Sequence, residues 1–146
     1  MDHPPNPSTA PATSQRQKLD RWLRRALVFT GFLNLAAAVT FAPPFPALRA
    51  QAGFPEPGHP FYGWLVAAWI FFFGLAYLWL GFSSSHQRLF LAVGAAGKAS
   101  FALLLIALSL TGDLPAKTPL AGLVDLLLAA FFVYWLLVTR PRAGEC

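Results

Sequence analysis

Three side chains carry polar chemistry inside long apolar runs: Asn34, Lys98 and Asp125. An ammonium and a carboxylate are the raw materials of an ion pair, a proton relay or a ligand site, and an amide can orient either. Placed in hydrocarbon, an ionised group costs about 2.5–3.5 kcal/mol even on the lenient insertion scale. Lys98 and Asp125 should therefore turn away from lipid and towards each other. Tyr77 adds a phenol from a further run, nearer the end that carries the termini.

The elements that must position them follow from hydropathy. Apolar runs separated by Pro, Gly and polar residues predict helices over about 24–42, 61–82, 88–110 and 119–139. A span needs about 20 helical residues, and without water every backbone group must bond within its own helix. The expected fold class is all-α: a bundle of four transmembrane helices, antiparallel and up-down, with a disordered N-terminal tail. Residues 1–20 form that tail, rich in Pro, Ser and Thr at its start; 21–142 form the transmembrane domain, and 143–146 a short C-terminal tail. The first segment is read as a retained helix rather than a cleaved signal, since Pro43 directly follows its only small-residue exit, Ala42.

Depth along these helices supports a meeting of the three residues. At 1.5 Å per residue, Asn34 lies about 12 Å above Ala26, Lys98 about 14 Å above Leu89 and Asp125 about 21 Å from Thr139. The lysine stem can cover the difference. Small residues flank each at helical spacing: Thr30, Gly31, Ala37 and Ala38; Gly94, Ala95 and Ala102; Ala121, Gly122 and Ala129. Such faces allow close helix contact in lipid. Two readings stand: a Lys98–Asp125 pair that fixes helix register with Asn34 as an interhelical hydrogen bond, or a proton- or ligand-responsive site.

Composition fits this class. Of 146 residues 56% are hydrophobic and 12% charged, against about a quarter charged in soluble domains. That excludes an ordinary soluble enzyme and a disordered chain. The net charge of +5 follows topology rather than nucleic acid. Arg16, Lys18, Arg21, Arg24, Arg25, Arg88, Arg140 and Arg142 flank one side of the expected spans, and Arg49 and Lys117 the other. By the positive-inside rule both termini are expected in the cytoplasm. The short loops 83–88 and 111–119 predict that the last three spans are antiparallel neighbours. The connection 43–60 holds six of the 13 prolines and reads either as a proline-stiffened connector or as a short amphipathic turn with Phe45, Leu48 and Ala52 around Arg49. Phe61, Tyr62 and Trp64 at one interface and Trp79, Tyr134 and Trp135 at the other suit an aromatic belt; stacking on a pigment or quinone ring is the rarer use of such residues.

Other chemistry lacks its residues. The single cysteine, Cys146, forms no internal disulfide or CxxC pair. His3, His59 and His86 lie in the tail and in loops on opposite sides, so neither a metal centre nor an axially ligated haem is expected. No HExxH, GxSxG, P-loop or GxGxxG occurs. No catalytic residue, cofactor or metal is expected.

The runs GFLNLAAAVTFAPP, FGLAYLWLG, VGAAGK and LVDLLLAAFFVYWL, spread over residues 24–139, resemble small bacterial four-helix membrane proteins of the DoxX-like type. The resemblance implies a compact bundle that serves as an accessory to redox or stress systems. The expected function is a non-enzymatic inner-membrane protein, an accessory or assembly subunit that meets lipid and other subunits or copies of itself, with no nucleic acid. The alternative is a small oligomeric transporter or channel using Lys98, Asp125 and Asn34.

Overall fold

A computed structural model describes residues 10–83 and 87–140. Its helices are α1 (Ala10–Phe41), α2 (Pro46–Gln51), α3 (Pro60–Phe82), α4 (Arg88–Leu110) and α5 (Pro119–Val138). There is no strand among the described residues. Helices α1, α3, α4 and α5 are each long and apolar enough to cross a membrane. The chain is an all-helical membrane protein. Only 28–33% of each span is buried within the protein, so most of its apolar surface is outward, where the solvent must be lipid rather than water.

The helix boundaries have local causes. Prolines open α2, α3 and α5, where the missing N–H is not needed. His59 caps α3: its Nδ1 accepts from the Phe61 N–H at 3.2 Å, a role for a histidine that the sequence left idle. Gly53 follows α2 with φ of 81°, a left-handed turn in which a side chain would also strike the Thr118 hydroxyl.

Two expectations about these elements need correction. Helix α1 starts at Ala10, not near residue 24, so residues 10–20 are helical where a disordered tail was expected. Its 32 residues measure about 48 Å at 1.5 Å per residue, well beyond a hydrocarbon core of about 30 Å. The first third therefore stands outside the span. Pro11 is tolerated in the first turn, and no proline or glycine interrupts 12–30. Residues 1–9 and 141–146, with His3, Arg142 and Cys146, lie outside the described residues, as does His86.

The second correction concerns neighbours. The helices associate as two tight pairs of consecutive spans, α1 with α3 and α4 with α5, so that α4 and α5 are the close neighbours expected, whereas α3 and α4 are not in close backbone contact. At the α1–α3 crossing a Cβ on Gly31 would lie 3.0 Å from the Gly74 carbonyl oxygen, and one on Gly74 3.1 Å from that of Gly31. In α5 a Cβ on Gly122 would lie 3.0 Å from the Ala102 Cα of α4. Backbones come this close only where small residues let them, which is how helices gain dispersion energy in lipid. Between the pairs, α3 and α4 meet through large rings instead: Phe73 with Phe90 at 6.1 Å and Tyr77 with Phe90 at 5.3 Å between centroids.

The end of the bundle that carries the termini is solid. Leu23, Leu27, Tyr77, Leu80, Leu91, Ala95, Ala129, Phe132 and Trp135 form one core from all four spans. Trp135 is buried rather than part of an exposed belt; its indole N–H donates to Asp20 at 3.0 Å. Arg88 donates to the Leu136 and Thr139 carbonyls at the end of α5, where a helix C-terminus favours a cation. Trp79 and Tyr134 are exposed as a belt requires.

At the other end α2 is a genuine helical turn, with its apolar side chains outward and its arginine against the bundle. Arg49 is buried, donating to Glu56 at 2.6 Å and to the Phe41 carbonyl at 3.5 Å, while Phe45 and Leu48 are exposed. The guanidinium is held inward by the Glu56 carboxylate and by a carbonyl left free at the end of α1, and the apolar side chains turn out to the membrane boundary.

The packing yields a paired prediction. Gly74→Val should lower the unfolding midpoint in detergent by an amount equivalent to about 1–3 kcal/mol of overpacking. Gly97→Ala should not lower it and should raise it slightly, because a Cβ there meets nothing within 4 Å and alanine is the better helix former. Thermal unfolding followed by circular dichroism reads both; equal midpoints for the two variants would refute the crossing.

Candidate functional site

Lys98 sits on the buried stripe of α4 with Leu91, Gly94, Ala95, Ala102 and Leu105. It is 7% exposed, and Asp125 on α5 is 17% exposed. The ammonium pairs directly with the Asp125 carboxylate and donates to Asn34 Oδ1 on α1 at 3.2 Å. The structure thus brings together three residues separated by 64 and 27 positions along the chain. Tyr77 on α3 completes the ring of four helices: Lys98 Nζ lies 5.8 Å from the centre of its aromatic face, a cation–π distance. The Tyr77 hydroxyl lies over Gly94, where any Cβ would collide with it. Glycine is required there by the phenol.

The electrostatics are those of a closed pair. In a medium without water the attraction between ammonium and carboxylate is large, and each charge removes the desolvation cost of the other only while both are present. Asn34 shares the ammonium, so α1 is tied to the α4–α5 pair by the same proton donor. At the crowded α1–α3 crossing, Asn34 Cβ would stand only 3.2 Å from a Cβ on Gly74. The helix crossing and the polar layer are therefore one piece of geometry.

A cavity of about 290 Å³ opens beside this layer, between the two helix pairs. Asn34, Tyr77, Lys98 and Asp125 give it a polar floor. Its walls are aromatic and aliphatic, with Phe41 from α1, Trp69, Ile70 and Phe73 from α3, and Val93 and Phe101 from α4. Phe54, from the α2–α3 connection, stacks between Phe41 and Phe101, 4.8 Å and 6.2 Å from them, and caps the wall on the α2 side. Gly97, Val93 and Trp69 are exposed on the bundle surface, so the opening is sideways, towards lipid.

Sequence reasoning located the four polar residues but not this cavity. Its signal was the glycine pair Gly94 and Gly97 beside Lys98. One glycine admits the tyrosine and the other leaves a gap in the α4 surface. Among the described residues no group of three or more His, Cys, Asp or Glu side chains could hold a metal ion.

The pair generates a double-mutant prediction. Lys98→Met and Asp125→Leu should each lower unfolding stability in mixed micelles by about 3 kcal/mol, the scale of an uncompensated buried charge. The double variant should lose less than either alone. Two neutral single variants would show that the pair does not hold the bundle. No protein-family model, curated protein or solved structure matches this chain.

Proposed function

We propose that this chain is a non-enzymatic, multi-pass protein of a bacterial inner membrane that works as an accessory or assembly subunit of a larger membrane system. The observation that carries the reading is the mutual neutralisation of Lys98 and Asp125 inside the bundle. A neutral pair, braced by Asn34, is suited to holding helices in register, whereas transport or acid–base work calls for a group that can change its charge. The outward apolar faces of all four spans offer ample surface to lipid and to the helices of other subunits or further copies. The excess of Lys and Arg on the side of the bundle that carries the two termini, eight against the two of Arg49 and Lys117, supports cytoplasmic termini. The resemblance to DoxX-like proteins points to the same kind of role.

A second reading is a small oligomeric transporter or channel in which Asp125, Lys98 and Asn34 contact the cargo. The observation favouring it is that all three border the intramembrane cavity. Against it stands the aromatic stack of Phe41, Phe54 and Phe101, which offers no polar path from the cavity to the α2 end.

Extraction from native membranes in mild detergent distinguishes the readings. An accessory subunit should migrate with other membrane polypeptides, well above its own 15.9 kDa and detergent. Recovery as a lone chain would count against it. Ion flux into proteoliposomes that is lost in Asp125→Asn at unchanged protein level would establish transport instead.

A further inference from the structure

The polar floor of the cavity has hydrogen-bonding capacity to spare, and most of it is donating. Lys98 carries three N–H donors, of which Asn34 Oδ1 and Asp125 Oδ1 take two. The Asn34 amide N–H groups and the Tyr77 hydroxyl make no hydrogen bond to another described residue, although both side chains line the cavity. The second Asp125 oxygen is the one strong acceptor left beside them. A donor that faces a lipid-side cavity with no acceptor is costly, since no water is there to substitute. The molecule that satisfies this floor presents acceptors, such as carbonyl oxygens.

Charge and shape narrow the class. The Lys98–Asp125 pair is neutral as a unit, so a charged head would enter with no counter-charge to offset its desolvation. The walls include the rings of Phe41, Trp69, Phe73 and Phe101, and aromatic surroundings of this kind favour a planar ring in offset or edge contact. A dry cavity of about 150 Å³ already holds a benzene ring; the volume here is about 290 Å³, room for a ring with substituents but not for a whole lipid. The exit at Gly97, where nothing stands within 4 Å of a Cβ position, leads into the surrounding lipid. That is where an apolar tail would lie.

We infer that this cavity binds the head of a neutral, membrane-dissolved molecule with a planar, carbonyl-bearing ring and an apolar tail, the chemistry of a prenylated quinone. Tyr77, Asn34 and Lys98 donate to its carbonyl oxygens, and the tail leaves past Gly97. The site binds; no electron or group transfer is required of it. This inference stands apart from the subunit role, which rests on the pairing of charges.

The test uses the full chain in nanodiscs of zwitterionic phospholipid, with decyl-1,4-benzoquinone as probe and decylbenzene as the matched compound without carbonyls. Retention is measured by equilibrium dialysis against protein-free nanodiscs. The expected result is saturable retention of one quinone per chain, with decylbenzene at least tenfold weaker. Tyr77→Phe, which deletes one donor, should weaken quinone binding about two- to tenfold. Gly97→Phe, which fills open space at the exit without touching the core, should weaken it at least tenfold. Equal retention of the two probes would overturn the inference in favour of an apolar occupant such as a lipid chain. Retention no greater than in empty nanodiscs would also overturn it, as would unchanged binding in both variants. None of these outcomes alters whether the chain co-purifies with other subunits.

Discussion

The bilayer offers Lys98 no water, and much of the structure can be read from that deprivation. An ammonium in the middle of a span is tolerated only if something else supplies what a hydration shell would have supplied. Asp125 supplies the charge, Asn34 an acceptor and Tyr77 an aromatic face. These four groups come from four different helices. Satisfying one lysine thus fixes the relative height and rotation of every span.

The demands of that layer conflict with uniform packing, and the compromise is visible. At Gly31 and Gly74, and again at Ala102 and Gly122, the backbones close to contact distance within each pair of helices. Between the pairs, α3 and α4 are held apart by the rings of Phe73, Tyr77 and Phe90. The half that carries the termini fills this wider gap with Tyr77, Phe132 and leucines. The other half leaves it hollow, and the cavity is that remainder. Dispersion alone would favour closing such a void, so its persistence beside unsatisfied donors is what gives it functional meaning.

Much of this was legible from residues alone, for a physical reason. The spans were readable because hydrocarbon demands helices of a narrow length range, and α4 begins and ends where expected, at Arg88 and Leu110. Asn34, Lys98 and Asp125 were readable because polar groups there must find one another. What escaped depended on competition between local and long-range partners. Arg49 turned inward between Glu56 and the carbonyl at the end of α1, partners that no helical periodicity encodes. Trp135 suits an interfacial belt by type, yet Asp20, far away in sequence, claims its indole. The unequal closeness of neighbouring helices, tight within α1–α3 and α4–α5 and wider between α3 and α4, escaped because short loops constrain only which ends are close. Glycines at 31, 74 and 122 decide which backbones touch, and a single sequence does not say which glycine meets which.

The central claim is that Lys98 and Asp125 form one direct ion pair in the membrane. Solid-state NMR measures this in lipid, through the dipolar coupling between a ¹⁵N-labelled lysine ammonium and a ¹³C-labelled aspartate side-chain carboxylate. Only three lysines, Lys18, Lys98 and Lys117, share the label, and a Lys98→Met sample identifies the signal. A strong coupling that disappears in that variant is the predicted result. An ammonium signal from Lys98 with no coupling to any aspartate would contradict the account at its root.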